Sequence, residues 1–203
     1  MRVLSLAVAV LFLSAAAAAQ TTNWTGTSSN SWAVPSNWDN GVPTAGTNAV
    51  IPPSASTFPA IYVGNPVCNS LTIQSGASMT LTSGWDLTVN GNLIIAGTLT
   101  VSSSSSNITV AGGWTNNGTF THGSSTVTLS GTGTLAGSST TTFNNLTISG
   151  GTRTAASAFA VAGDAEVIGT ATLDTGVGLT HTVVGNWTST DGGVSVTGTG
   201  TIE

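Results

Sequence analysis

The stretch LTISGG, residues Leu146 to Gly151, is an apolar–Thr–apolar phrase closed by glycine, and the chain says nearly the same thing elsewhere. LTVNGN occupies Leu87 to Asn92, ITVAGG Ile108 to Gly113, and VTLSGT Val127 to Thr132. Strict alternation over three or four residues is the pattern of a half-buried β-strand, with Leu146 and Ile148 on one side and Thr147 on the other. The closing glycines Gly91, Gly112, Gly131, Gly150, Gly163 and Gly185 are 21, 19, 19, 13 and 22 residues apart, so the dominant spacing is about twenty. A second short strand often follows the glycine, as in GTLTV from Gly97 and GTF from Gly118. No segment beyond the N-terminus shows a helical period.

Short strands turned every few residues, repeating near twenty, predict an all-β chain wound as a β-solenoid, or parallel β-helix. One turn cannot bury its own apolar side; stacking on the next, about 4.8 Å away, buries a continuous core and completes the backbone hydrogen bonds. The inward Leu and Ile then form apolar columns. The outward Thr72, Thr88, Thr109, Thr128 and Thr147 are predicted to form a surface ladder, with Ala160 interrupting the row. A longer period lies over the short one. CNSLTI from Cys68 matches FNNLTI from Phe143 at an offset of 75, VNGN from Val89 matches VAGD from Val161 at 72, VAGGWTNNG from Val110 matches VVGNWTSTDG from Val183 at 73, and SGTGTL from Ser130 matches TGTGTI from Thr197 at 67. This order predicts about two copies of a unit of some seventy residues.

Composition divides the chain. All six prolines fall between Pro35 and Pro66, and Trp24, Trp32 and Trp38 precede Gly41. Residues 20–65 therefore read as a Trp- and Pro-rich cap and residues 66–203 as the array. Residues 1–19 read as a signal peptide: Arg2, the apolar run Val3 to Ser14, and an A-x-A site at Ala17 and Ala19 with cleavage before Gln20. The expected location is secreted or on the cell surface, with no membrane-spanning segment in the mature chain.

Only 4% of the chain is charged and the formal net charge is −5. Two basic residues, Arg2 and Arg153, and no lysine exclude a nucleic-acid footprint. A positive mean hydropathy argues for a folded chain. Cys68 has no intramolecular partner. It reads either as a reactive thiol or as a packing residue, and its match to Phe143 favours packing. His122, in THGSS, reads as a turn residue; His181 reads as an inward residue with a structural role at a coil edge. Asp164 and Glu166, at i and i+2, would share a strand face and could hold a cation or form a carboxylate pair for glycoside hydrolysis. Asp164, however, fills the slot taken elsewhere by Asn92, Gly113 and Asn186, which favours a turn residue. GTGTLA, from Gly131, fits a dinucleotide fingerprint in letters only, because a strand signal follows it instead of a helix. No catalytic, cofactor-binding or metal-binding set is assigned.

These phrases, NLTISGG, VNGNLIIAGTL and VAGGWTNNGTF, together with the leading NWTGTSSNSWAVPSNWDNGVPTAGTNAVIPP from Asn23, resemble the β-strand-repeat, parallel β-helix proteins of bacterial cell surfaces, including large secreted adhesin-like proteins. The resemblance covers most of residues 23 to 203. It implies a non-catalytic extracellular structural or adhesive module, with polysaccharide or other surface repeats as partners. Ice binding or carbohydrate binding on Thr/Ser ladders is the alternative, and a carbohydrate-active β-helix enzyme is disfavoured. Since the chain stops at GTGTIE, where the first copy runs on through AGSSTTTFNNLTI, the array reads as truncated, and its open last turn predicts self-association through the C-terminal edge.

Overall fold

A computed structural model describes residues 18–82, 84–102, 106–190 and 196–203. Most of the expected signal peptide (1–17) and part of the last phrases (191–195) lie outside the described residues. The rest is an all-β solenoid of about seven turns, built from parallel strands. Each turn contributes one strand to each of three sides. One side is a nine-stranded sheet that runs from Gln20–Asn23 through Leu71–Ile73 and Trp114–Asn116 to Val196–Thr197. The second is a seven-stranded sheet from Val67–Cys68 through Asn107–Val110 to Trp187–Ser189. The third side consists of two four-stranded sheets, one starting at Ala60–Ile61 and the other ending at Thr201–Ile202.

Alternation sets which residues face the lumen. Leu87, Ile108, Val127, Leu146 and Ala165 stack in register on the seven-stranded sheet, with Val89, Val110, Leu129, Ile148 and Val167 beside them. All ten are buried. The third side faces the lumen with Met79, Leu99, Phe120, Phe143 and Phe159, and Trp114 packs edge-on against Phe120 and Phe143 with ring centres 4.9 and 5.2 Å away. Aromatic rings thus fill the middle of the stack, where aliphatic columns alone would leave space.

Stacking also explains the glycines of the corner between the seven- and nine-stranded sheets. A Cβ on Gly91, Gly112, Gly131 or Gly150 would lie 2.4–2.5 Å from an atom of the turn below. At Gly112, Gly131 and Gly150 the close neighbour is backbone and at Gly91 it is the Ser70 hydroxyl, so close approach, not a left-handed φ, is what excludes a side chain there.

The structure corrects the period. Register runs Leu87, Ile108, Val127, Leu146, Ala165, Trp187, so the steps are 21, 19, 19, 19 and 22 residues with no short one. The apparent step of thirteen mixed two corners. Gly163 and Gly185 lie just before strands of the seven-stranded sheet, whereas Gly91 to Gly150 follow them. The seventy-residue repeat changes meaning for the same reason. Leu71–Ile73 lies on the nine-stranded sheet and its counterpart Leu146–Ile148 on the seven-stranded sheet, so the match relates different sides of the coil. What recurs is one strand with its corner.

The sheets begin ahead of residue 66. Thr47–Ile51 and Gln20–Asn23 already stack on the nine-stranded sheet, and Ala60–Ile61 starts the third side. Between them the chain folds over the end of the lumen. Trp24 and Trp32 both pack edge-on against Trp38, at 5.1 and 4.7 Å. Trp38 Nε1 donates to Trp32 O, and Trp24 Nε1 to Thr57 O. The buried Asn37 carboxamide accepts from the Ser28 and Ser29 N–H groups and donates to Ser31 O and Ser29 Oγ, holding a loop whose one bridge to a sheet is Ser31 beside Ala60.

Candidate functional site

The outer surface of the seven-stranded sheet carries two parallel columns of short polar side chains. The first runs along the corner: Asn65, Asp86, Asn107, Thr126, Asn145, Asp164 and Asn186. Its members stitch the turns together. Asn65 Oδ1 accepts the Asp86 N–H at 2.9 Å, Asp86 Oδ1 the Asn107 N–H at 2.8 Å, Asn145 Oδ1 the Asp164 N–H at 2.9 Å, and Asp164 Oδ1 the Asn186 N–H at 2.7 Å. These are corner N–H groups that a straight ladder would leave unpaired.

The second column lies two residues along each strand, hence on the same outer surface: Thr88, Thr109, Thr128, Thr147, Glu166 and Thr188. Four of the five predicted ladder residues are therefore in register. Thr72 is not among them. It lies on the nine-stranded sheet between Val50 and Ile94, because its phrase occupies a different side of the turn. Ala160 does not interrupt the row either; it pairs with Thr142 and Thr182 on the third side, and Glu166 takes the position above Thr147. Thr147 is only 9% exposed, and its hydroxyl donates to Glu166 Oε1 at 2.8 Å.

Between the two columns, over the upper turns, lies a groove of about 340 Å³ lined by Asn145, Thr147, Asp164, Glu166, Asn186 and Thr188. Asp164 and Glu166 do share a face here. Asp164 is a corner residue like Asn186, but Asn92 and Gly113 belong to the other corner, where Asn92 Oδ1 accepts the Gly113 N–H. Sequence reasoning missed Asn145, Asn186 and Thr188 as groove residues. The available signal was an Asn or Asp two residues ahead of the outward Thr, present in Asp86/Thr88, Asn107/Thr109, Asn145/Thr147 and Asn186/Thr188.

The third side holds a further array that alternation alone did not single out. Ser78, Thr98 and Thr119 are in register, and Thr80, Thr100 and Thr121 form a second column beside them.

Cys68, His181 and Arg153 point inward. Cys68 is fully buried, and burial pushes its thiol up to about 12. His181 is fully buried, stacked on Phe159 at 4.1 Å; its Nδ1 accepts the Phe159 N–H, which leaves Nε2 as the donor to Thr175 O. His122 Nδ1 donates to Gly123 O in a turn. Arg153 is fully buried with no acid beside it. Its Nη1 donates to Gly112 O and its Nη2 to Val110 O and Ala111 O at 2.9 and 3.0 Å, while Nε has no partner. Desolvation lowers the guanidinium to about 10. Among the described residues no three His, Cys, Asp or Glu side chains gather as a metal site, and no helix is long and apolar enough to cross a membrane.

Comparison with known proteins gives one relation. The model of the family described as a domain of unknown function, DUF8693, matches residues 23–192, spanning the Trp-rich segment and the solenoid together. No curated protein and no solved structure matches the chain.

Proposed function

The chain belongs to the DUF8693 family, and we propose that it is a non-catalytic structural and adhesive module, exported by its leader and displayed outside a bacterial cell. The observation that carries this reading is the pair of in-register polar columns on the seven-stranded sheet, laid over a core filled with aliphatic and aromatic side chains. A solenoid with this core holds its outer side chains at fixed spacings, which suits repetitive partners such as polysaccharides or neighbouring surface repeats. Acidic partners fit poorly. Past the leader the only basic side chain is Arg153, and it is buried.

Two measurements test the reading. Intact mass of the protein recovered from the culture medium or cell surface should place the N-terminus at Gln20; an unprocessed intracellular chain would remove the export part. Co-sedimentation of residues 20–203 with cellulose, chitin, mannan and purified cell walls should show retention on at least one. Retention on none, with no association between copies, would overturn the adhesive part.

A second reading is favoured by the third side, where Ser78/Thr80, Thr98/Thr100 and Thr119/Thr121 form a two-column hydroxyl array. Such an array could order water as an ice-binding surface does. Thermal hysteresis abolished by Thr100→Tyr would establish it, and its absence at millimolar protein would dismiss it.

A further inference from the structure

Four of the polar side chains in the groove on the seven-stranded sheet, Asn145, Asp164, Glu166 and Asn186, are partly used and partly free. Asp164 Oδ1 takes both the Asn186 N–H and the Asn186 side-chain amide, leaving Oδ2. Glu166 Oε1 takes the Thr147 hydroxyl, leaving Oε2. Asn145 Oδ1 holds the Asp164 N–H, and its Nδ2 has no partner. Asn186 Oδ1 and the Thr188 hydroxyl also have none among the described residues. At Asn145, Asp164, Glu166 and Asn186 the committed half fixes the rotamer and so aims the free half, which lowers the ordering cost of binding, and Thr188 adds an uncommitted hydroxyl.

The free set contains acceptors, an amide donor and a hydroxyl. Asp164 and Glu166 are two residues apart, about 7 Å along the strand, and successive turns are about 4.8 Å apart. Vicinal hydroxyls of a sugar ring, each both donor and acceptor, match such a mixed set. The volume, about 340 Å³, is at the small end of ligand sites and suits one ring with its linkages rather than a folded partner. Charge selects further, because two carboxylates with no exposed Lys or Arg on the mature chain repel uronates and phosphates.

We infer that the groove bounded by Asn145, Asp164, Glu166, Asn186 and Thr188 is a subsite for a neutral hexopyranose unit, held directly by the Asp164 and Glu166 carboxylates without a bridging metal ion. The inference rests on the adhesive reading above and gives that reading a place on the molecule and a ligand class.

Asp86 supplies a matched control. It occupies the same corner column and accepts the Asn107 N–H and side-chain amide as Asp164 accepts those of Asn186, but it lies outside the groove. Residues 20–203 are titrated calorimetrically with cellohexaose, chitohexaose and mannohexaose, with EDTA and with calcium, and with hexalysine. At least one neutral hexasaccharide should bind equally with EDTA and calcium. Asp164→Asn and Glu166→Gln should each weaken it about tenfold, the scale of one lost charged hydrogen bond. Asp86→Asn should leave it within about twofold, and Thr188→Ala, which alters no corner bond, should weaken it too. Melting temperatures certify that each variant is folded. Undiminished binding in the groove variants overturns the subsite but leaves adhesion standing. Equal losses in Asp86→Asn, a requirement for calcium, or binding of hexalysine alone each overturn it. So does an absence of hexasaccharide binding, while adhesion is decided separately by the co-sedimentation measurement.

Discussion

Thr147 and Glu166 sit one turn apart on the same column, and the Thr147 hydroxyl donates to Glu166 Oε1 at 2.8 Å. The contact makes Thr147 unlike the other threonines of its row. A hydroxyl that alternation would leave to solvent is tied down and covered.

Substitutions on this strand should therefore fall into three ranks. Leu146→Asp places a charge in the apolar column and should cost several kcal/mol or abolish folding. Thr128→Asp, on the half-exposed outer row, should cost about 0.5 kcal/mol or less. Thr147→Asp should lie between them, because it sets a carboxylate against Glu166. Denaturant midpoints order the three; a Thr147 variant as mild as the Thr128 one would mean that the contact with Glu166 is not formed in solution.

Gly112→Ala should be among the most damaging single-methyl changes in the chain. The added Cβ would lie 2.4 Å from the carbonyl carbon of Gly91 in the turn below, where the neighbour is backbone and cannot rotate away. A fall in melting temperature equivalent to about 2 kcal/mol or more is expected from such overpacking. A change near zero would show that the corner can separate without cost.

Cys68 should resist thiol reagents in the native protein and react fully once unfolded, since it is buried and its thiol is pushed up to about 12. Cys68→Ser should cost about 1–3 kcal/mol by leaving a hydroxyl unpaired in the core. Rapid native labelling would place this strand at a loose edge instead.

Arg153 gives a pH dependence. Burial lowers its guanidinium to about 10, well below the usual arginine range, so the folded state holds this proton less tightly than the unfolded chain does. The penalty on folding is complete below about pH 10 and fades as pH rises above it. Relative to Arg153→Met, the wild type should gain thermal stability between about pH 8 and about pH 11. A constant difference across that range would mean that the three carbonyl bonds fully offset the desolvation.

The inside–outside pattern was legible because alternation is a local property of three residues, and Leu146, Ile148 and Val110 needed nothing more. The side of the coil on which a phrase sits was not legible. Strand-plus-corner units look alike in letters whichever corner comes next, so Thr72 and Ala160 were assigned to a row they do not share. The inward orientation of Arg153 could have been read from its parity with Ala155. The general rule that charges stay outside hid it. The groove was half legible: Asp164 and Glu166 stood out as charges, while Asn145 and Thr188 gained meaning only when register placed them one turn to either side.

The corner column has a sense of direction. At Asn65, Asp86, Asn145 and Asp164, and at Asn92 on the other corner, the side chain of the earlier turn is the acceptor and the backbone of the later turn the donor. The carbonyls run the other way: Asp164 O accepts the Leu146 N–H, Asn186 O that of Ala165 and Gly113 O that of Leu93, so each of these corners is tied in both directions. Opposed bonds make each such corner a hinge pinned at both leaves: loss of one side-chain acceptor loosens it without freeing the later turn.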